Sequence, residues 1–390
     1  MDKVRFGIIG MGNMGFAHLE SFFKGKIKNA VVTAIADVKV ERLQNAVEKL
    51  KGEYELFNSG DELLDKADID AVLIAVPHYD HPRFAIKALN KGIHVLCEKP
   101  AGVYAKQVRE MNEVALKSDK LFSLMYNQRT NPLYVKMHEL ISSGSLGELR
   151  RVNWIITNWF RTQFYYDSGA WRATWSGEGG GALMNQCPHQ LDLLQWIVGD
   201  MPSKIRAFCH FGKWHNIETE DDVTSYMEFE NGATGVFITS TADAPGANRF
   251  EVLCSKGRVI CENDKLTIYR LKQDLQEHIN TCKNGFSQPE CEIETIEQDY
   301  SKNTQHAGII NNFANAILGL EELYVDGVEG IKCVELINAM LYSGWTDSTV
   351  SLPINEDRYY EELSKRIATS RLKDTEDILI DNSNSYGGTK

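Results

Sequence analysis

The sequence has no long apolar run. Its longest, residues 71–76, falls far short of the roughly 20 residues that a membrane-spanning helix needs, so no such helix is expected. It has no basic excess either. Asp plus Glu number 54 against 42 Lys plus Arg, a net charge of −12, which gives no general attraction to nucleic acid or to an anionic membrane. Met1-Asp2-Lys3 leads straight into a strand pattern without an apolar signal core, and a cytoplasmic location is expected. The eight cysteines, at 97, 187, 209, 254, 261, 282, 291 and 333, form no C-x-x-C pair and read as free thiols. Cys209, His210 and His215 come nearest to a metal cluster. Alternation along a strand would turn Cys209 and His210 to opposite faces, so no metal site is expected. No internal repeat is visible.

What is present begins at the N-terminus. At 390 residues the chain is too long for one ordinary core, and two domains are expected. An apolar strand over 4–9 runs into Gly10-Met11-Gly12-Asn13-Met14-Gly15, followed by a helix over 16–23 and a strand over 31–36 ending at Asp37. In this context Gly10 makes a tight turn, Gly12 lets backbone approach a pyrophosphate, and Gly15 packs the helix on the strand. Phosphates would then sit at the positive helix end beside Gly12, Asn13 and Met14. Asp37 stands 22 residues beyond Gly15, near the spacing expected of the carboxylate that binds an adenosine ribose. Helices over 40–50, 82–91 and 105–117 alternate with strands over 55–57, 71–76, 94–98 and 121–126. That is a doubly wound dinucleotide-binding (Rossmann) domain, placed at 1–128. Ligands bind such sheets at the carboxyl ends of the strands, which selects residues 77–81, 98–100 and 127–129.

After about residue 130 the rhythm changes. Strands are expected over 150–160, 203–211, 223–230, 233–241, 249–255, 258–263 and 265–271, with Asn231-Gly232 and Lys256-Gly257 as hairpin turns. Helices over 132–143, 182–198, 307–318 and 329–342 would cover one face of this large, mostly antiparallel open sheet. The fold expected for 129–355 is therefore α+β, its other face free for a partner subunit in a homodimer or homotetramer. The segment 272–303 reads as irregular and polar. A helix over 356–372 and a frayed tail at 382–388 make up a separate C-terminal piece, 356–390.

A second informative stretch runs from Gly179-Gly180-Gly181 through Asn185 and Pro188-His189 to Asp192. Consecutive glycines let backbones approach something closely. Pro188 is tolerated because N–H groups in a first helical turn lack an intrahelical acceptor. Two readings stand side by side. Asn185 caps the helix and His189 pairs with Asp192, or both side chains work in a site.

The glycine turn, Asp37, residues 77–81, Glu98-Lys99-Pro100, Trp171-Arg172 and the glycine stretch through His189-x-x-Asp192 occur in this order over nearly the whole chain. Together they resemble the glucose-fructose oxidoreductase and inositol dehydrogenase (Gfo/Idh/MocA) family. The resemblance implies hydride transfer between a nicotinamide and a sugar or polyol carbinol, with Lys99 and His189 as catalytic candidates. It also implies Pro77, His81, Glu98, Lys99, Asn127, Trp171 and Arg172 around the cofactor. His78 stands where many members carry Asn. Asn185 stands where many carry Asp four residues before the histidine, and an amide can position a hydroxyl but cannot take its proton. The base is then His189 or Lys99. His189 is favoured because histidine titrates near neutral pH unaided, leaving Lys99 as the orienting donor.

Between the strand at 150–160 and the glycines lie Trp159, Phe160, Phe164, Tyr165, Tyr166, Trp171 and Trp175. Roughly half of these aromatics should be core, and the others would offer flat faces to a pyranose. Substrate-binding candidates are Lys99, Asn185, His189, Tyr166, Arg161 and His306, with Asn158 and Gln190 as further hydroxyl partners. NAD is expected rather than NADP, since Asp37 repels a 2′-phosphate and no Arg stands at 38 or 39, although Lys39 softens the preference. The expected activity is an NAD-dependent dehydrogenase for a sugar, glycoside or cyclitol. A glycosidase that retains NAD, or a non-catalytic sugar or dinucleotide sensor, is the alternative.

Overall fold

The computed structural model describes residues 3–375 and Ile378. The tail expected at 382–388 lies outside the described residues. The first sheet contains β1 (Val4–Ile9), β2 (Ala30–Ala36), β3 (Glu55–Phe57), β4 (Ala71–Ile74), β5 (His94–Cys97) and β6 (Phe122–Leu124). All its pairings are parallel, in the order β3-β2-β1-β4-β5-β6. Helices α1 (Asn13–Phe23), α2 (Val40–Leu50), α3 (Gly60–Lys66), α4 (His81–Asn90) and α5 (Ala105–Lys117) fill the connections. The strand order reverses between β1 and β4, and a crevice opens there at the carboxyl ends. All four residues of β4 are buried, because β1 and β5 flank it and helices cover both faces.

Local chemistry sets the helix starts. Ser59 Oγ accepts from the Glu62 amide at 3.1 Å at the head of α3. Asn131 Oδ1 accepts from the Leu133 amide at 3.0 Å at the head of α6 (Pro132–Ser142), where Pro132 occupies a position whose N–H has no intrahelical partner.

The second part adds β7 (Leu149–Ile156), α7 (Gln163–Asp167), α8 (Ala182–Asn185), α9 (Pro188–Val198), β8 (Lys204–Phe211), β9 (Glu220–Glu228), β10 (Thr234–Ser240), β11 (Asn248–Cys254), β12 (Gly257–Glu262) and β13 (Lys265–Leu271). It continues through α10 (Leu275–Thr281), β14 (Cys291–Glu297), α11 (Gln305–Ile317), α12 (Gly330–Thr346), β15 (Val350–Ser351) and α13 (Glu356–Thr369). Nine strands pair in the order β14-β13-β12-β11-β7-β10-β9-β8-β15, and only β7 with β10 is parallel. Trp154 of β7 stacks on Phe250 of β11 at 4.0 Å in the middle of the inner face. Helices α6, α9 and α12 pack over that face. None of the described helices is long and apolar enough to cross a membrane. The cysteines are free thiols. Cys209 Sγ lies against the Met340 carbonyl while His215 pairs with Asp221, so these two of the three residues that came nearest to a metal cluster have separate partners.

Three expectations need correction. The helix expected over 182–198 is two helices, because Pro188 has no N–H to give to the Met184 carbonyl one turn back. The segment 272–303 is not irregular. Asp274 caps α10 through the Gln276 amide at 2.8 Å, and β14 pairs along its whole length with β13. The sequence Cys291-Glu-Ile-Glu-Thr-Ile-Glu297 lies at the sheet edge, held by backbone pairing rather than burial, so it carries little hydrophobic signal. The C-terminal helix stops at Thr369 and bridges the two parts, with Tyr360 against Tyr104 at 4.7 Å and Tyr359 stacked on Trp345 at 5.2 Å.

One buried interaction fixes how α9 meets the first sheet. Arg129, just past β6, donates through Nε and Nη2 to both oxygens of Asp192 at 2.8 and 2.7 Å, and through Nη1 to Glu329 at 2.7 Å. Arg129 and Asp192 are both 1% exposed. Two charge-assisted bonds in one fork geometry hold α9 in position, and the pair raises the Arg129 pKa further above its ordinary value against the opposing effect of burial. Asp192→Ala strands the guanidinium in the interior and is expected to cost about 3–5 kcal/mol of unfolding free energy in urea titrations. A loss under about 1 kcal/mol would show that water or Glu329 alone satisfies Arg129.

Candidate active site

At the dinucleotide end, the sequence dictates a turn that only glycine can make. Gly10 has φ +95°, and a Cβ there would lie 2.3 Å from the Ala75 carbonyl oxygen. A Cβ on Gly15 would lie 1.8 Å from the Gly10 oxygen. Gly12 faces open space, its nearest neighbour being Arg42 Nη1 at 3.9 Å, and no side chain caps the N-terminus of α1. An exposed helix start above a glycine is a ready anion cradle. At the end of β2, Asp37 accepts from the Met11 amide at 2.7 Å and from the Lys39 amide at 2.8 Å. Arg42 Nη1 approaches the same carboxylate at 3.5 Å. The sequence reading missed Arg42; α2 follows β2 so closely that its first turn brings residue 42 back over the strand end.

These groups open one end of a cavity of about 520 Å³ that runs across the carboxyl ends of the first sheet to α8 and α9. Gly10, Gly12, Asn13, Met14, Asp37, Pro77, His81, Glu98, Lys99, Arg161, Trp171, Arg172, Asn185, His189 and His306 all line it. Three expected site residues do not. Gly15 is spent on packing against Gly10. Asn127 is fully buried and donates to Gln305 Oε1. Tyr166 is 2% exposed and donates to Thr241 Oγ1 at 2.8 Å, whereas its neighbour Tyr165 lines the cavity. Adjacent residues on a short helix point about 100° apart, and nothing local says which tyrosine turns inward. Asn158 and Gln190 are likewise not in the cavity wall. Of the aromatics, Trp175 packs into the core, Trp159, Tyr165 and Trp171 line the cavity, and Phe160 and Phe164 are exposed.

At the far end, Lys99 Nζ donates to the Asn185 carbonyl at 2.9 Å. His189, the second residue of α9, is buried, and its Nδ1 has no hydrogen-bond partner. It is not paired with Asp192, which belongs to Arg129. Nor does Asn185 cap α9, since it ends α8. The glycine stretch approaches protein rather than ligand. A Cβ on Gly179 would meet Val103 at 2.2 Å, and one on Gly181 the Glu220 carbonyl at 2.1 Å. Tyr165 sits between the Arg161 and Arg172 guanidinium groups at 4.9 and 4.6 Å, and its hydroxyl accepts from Arg172 at 3.0 Å and from Gln186 at 3.2 Å.

Burial governs the protonation of this site. It pushes His189 well below the usual imidazole range, with Lys99 adding to the effect, and lowers Lys99 itself against the opposing charges of Glu98 and Glu178. Burial also pushes His78 well down and lowers His81, and holds His306 at about 4 with His18 adding. Glu98 goes the other way. Burial raises it, but a 2.6 Å hydrogen bond to His18 and the nearby charges override that and hold it at about 2. The wall thus offers neutral imidazoles, a lysine and a fixed carboxylate.

Comparison with known proteins gives the family and the fold. Residues 4–126 match the oxidoreductase family NAD-binding Rossmann fold, and residues 134–260 match the GFO/IDH/MocA C-terminal domain. The chain is 28% identical to myo-inositol 2-dehydrogenase of Thermotoga maritima over 68% of this chain and 77% of that protein. It is 24% identical to D-glucoside 3-dehydrogenase of Escherichia coli over 90% of this chain and 98% of that protein. Among solved structures, the WlbA dehydrogenase of Bordetella pertussis in complex with NADH and UDP-GlcNAcA superposes with a TM-score of 0.75 at 25% identity, covering 90% of this chain and all of that one (100%).

The depressed histidines make stability depend on pH. An unfolded histidine binds its proton at about 6.5, while folded His306 does so only at about 4, so the unfolded state binds more protons between these values. Unfolding free energy is expected to fall as pH drops from about 6.5 to about 4, and less steeply in His306→Gln. Urea midpoints at pH 7.5 and 5 measure this; equal drops in both proteins would mean that the folded ring is not held neutral.

Proposed function

The chain belongs to the GFO/IDH/MocA family of NAD-binding oxidoreductases, and from that premise we propose that it oxidises a CH–OH group of a sugar, glycoside or cyclitol. One observation carries the reading: a single cavity joins the glycine turn and Asp37 to Lys99, Asn185 and His189. The glycine cradle, the uncapped start of α1 and the Asp37 carboxylate suit an NAD-type dinucleotide, with Pro77, His81, Glu98, Trp171 and Arg172 along its path. NAD when bound supplies the hydride acceptor.

The protein's own groups do the rest. Lys99 Nζ, held by the Asn185 carbonyl, donates to the substrate oxygen and fixes its position. His189, kept neutral by burial, takes the hydroxyl proton at Nε2, because Nδ1 is buried out of a hydroxyl's reach. Asn185 and Arg161 bind neighbouring hydroxyls, and the aromatic wall of Trp159, Tyr165 and Trp171 covers the C–H faces of the ring. His306 closes the floor beside Glu98 and His18. A cytoplasmic location belongs to the same reading.

The outer face of the second sheet is the proposed subunit contact. Phe208, Thr224, Ile238 and Ile155 stand opposite one another across four strands, so they form one row on the side away from the helices. Phe208 is 55% exposed and Ile155 38%, and Tyr226 in the adjacent row is 43% exposed. An apolar band of this kind marks an interaction surface. Light scattering at micromolar concentration is expected to give a dimer or tetramer, and Phe208→Lys to shift it toward monomer. A monomeric wild-type protein would refute the contact.

Activity is tested by NADH formation from a panel of cyclitols, sugars and glycosides, with products identified by mass spectrometry. Lys99→Met is expected to lower kcat by about 100-fold or more while NADH affinity stays within about twofold, because the lost contact belongs to the transition state. An equal loss of NADH binding would make Lys99 a cofactor anchor instead.

A further inference from the structure

An asparagine amide can face a site with either end, and its neighbours decide which. Asn185 Nδ2 donates to Glu178 Oε1. Glu178 is 2% exposed and its other oxygen accepts from the Ala173 amide at 2.5 Å. A carboxylate can only accept, so the amide nitrogen must turn to it and Asn185 Oδ1 must turn the other way, where it lies 3.2 Å from Gln186 Nε2 and 3.5 Å from the Tyr165 hydroxyl, both in the cavity wall. Asn185 therefore shows the cavity an acceptor oxygen, as an aspartate would.

We propose that Glu178 is a positioning residue for the reacting end of the cavity: from behind Asn185 it fixes the amide as an acceptor and supplies the negative charge that the amide lacks. The inference rests on the reading of Lys99, Asn185 and His189 as the reacting groups. Glu178 acts on Lys99 through charge, favouring its protonated form against burial. Of the other titratable groups around Lys99, burial pushes the Cys187 and Cys333 thiols up to about 12 and higher and pushes His78, His81, His189 and His306 down. Near pH 7 these are neutral, which leaves Glu98 and Glu178 as the carboxylates; burial raises Glu178, and the Arg172 charge, the Ala173 and Asn185 amides and Lys99 act against that. Glu98 is occupied by His18. Glu178 also holds the Trp171-Arg172 loop through Ala173, and its carbonyl accepts from His78 Nδ1 at 3.2 Å, so a structural role must be separable from the proposed one.

Relocating the charge separates them. In Glu178→Gln a single acceptor oxygen faces two donors, the Ala173 amide and Asn185 Nδ2. In Asn185→Asp two carboxylates face each other at hydrogen-bond range. In the double variant the introduced glutamine oxygen can accept from Ala173 while its amide nitrogen donates to the introduced carboxylate, which completes every bond and returns the charge. Each single variant is expected to lose about tenfold or more in kcat with KM and NADH affinity within about twofold, and the double variant to recover to within about threefold of wild type. Singles at wild-type rates, or a double variant as impaired as the product of the two losses, overturn the proposal. A parallel loss of NADH affinity in Glu178→Gln assigns the residue to loop structure and overturns it too. Should Glu178→Gln not fold, the double variant decides by its rate. A second readout needs no substrate. In ¹³C NMR of labelled lysine, with Lys99 assigned by its absence in Lys99→Met, the Lys99 midpoint is expected to move to lower pH in Glu178→Gln and to return in the double variant. An unmoved midpoint overturns the proposal. A protein that oxidises no polyol while this midpoint moves as expected refutes the proposed activity and leaves Glu178 in its role.

Discussion

The site exists because two parts of the chain are locked together by a buried bidentate ion pair. Arg129 leaves the last strand of the first sheet, and Asp192 sits three residues beyond His189 on α9. Residues three apart share a helix face, so fixing Asp192 fixes His189. Lys99 comes from the same sheet as Arg129, at the end of the neighbouring strand β5. The catalytic candidates are thus placed by an interaction that neither of them makes. Such a pair is strongly favourable only when fork geometry is complete, since desolvating both charges offsets much of their attraction. Here Glu329 accepts from the third nitrogen, so each of the three guanidinium nitrogens donates to a carboxylate.

Burial then sets the chemistry. Several histidines and a lysine lie within one low-dielectric wall, and each is pushed toward its neutral form by desolvation before any neighbour acts. Glu98 is the counterexample, held ionised by His18. Neutral imidazole beside a hydrogen-bonding lysine suits removal of a proton from a hydroxyl, and the carboxylates behind them decide how readily Lys99 keeps its charge. The same burial that prepares the site costs stability in acid, because unfolding releases these imidazoles to protonate.

The glycines divide by physical role rather than by motif. Gly10 and Gly15 touch each other's backbone and make room for a turn, and only Gly12 leaves space for a ligand. Gly179 and Gly181, which look from the sequence like a second ligand loop, accommodate Val103 and the backbone of Glu220. The Glu220 carboxylate accepts from the Gly181 and Leu183 amides at 2.9 Å each and so orients α8, which carries Asn185. A second glycine run therefore serves the site indirectly, through the helix it allows to start.

The sequence alone determined the parallel sheet, because strands buried on both faces read as continuous apolar runs and their helices repeat with clear amphipathic spacing. It determined the glycine turn and Asp37, since those residues are neighbours in the chain and their spacing is local geometry. The family resemblance, carried by Glu98-Lys99-Pro100 and the stretch ending at Asp192, singled out Lys99, Asn185 and His189, and all three line the cavity. Tertiary structure alone decided that Tyr165 rather than Tyr166 faces the cavity, that Asn127 turns to Gln305, that Asp192 belongs to Arg129, and that Glu178 stands behind Asn185. The Arg129–Asp192 and Asn127–Gln305 partnerships join residues 63 and 178 positions apart and depend on how distant segments dock, while Tyr165 and Glu178 depend on how the irregular stretch before α8 folds back on itself. Neither periodicity nor spacing within one segment carries that information.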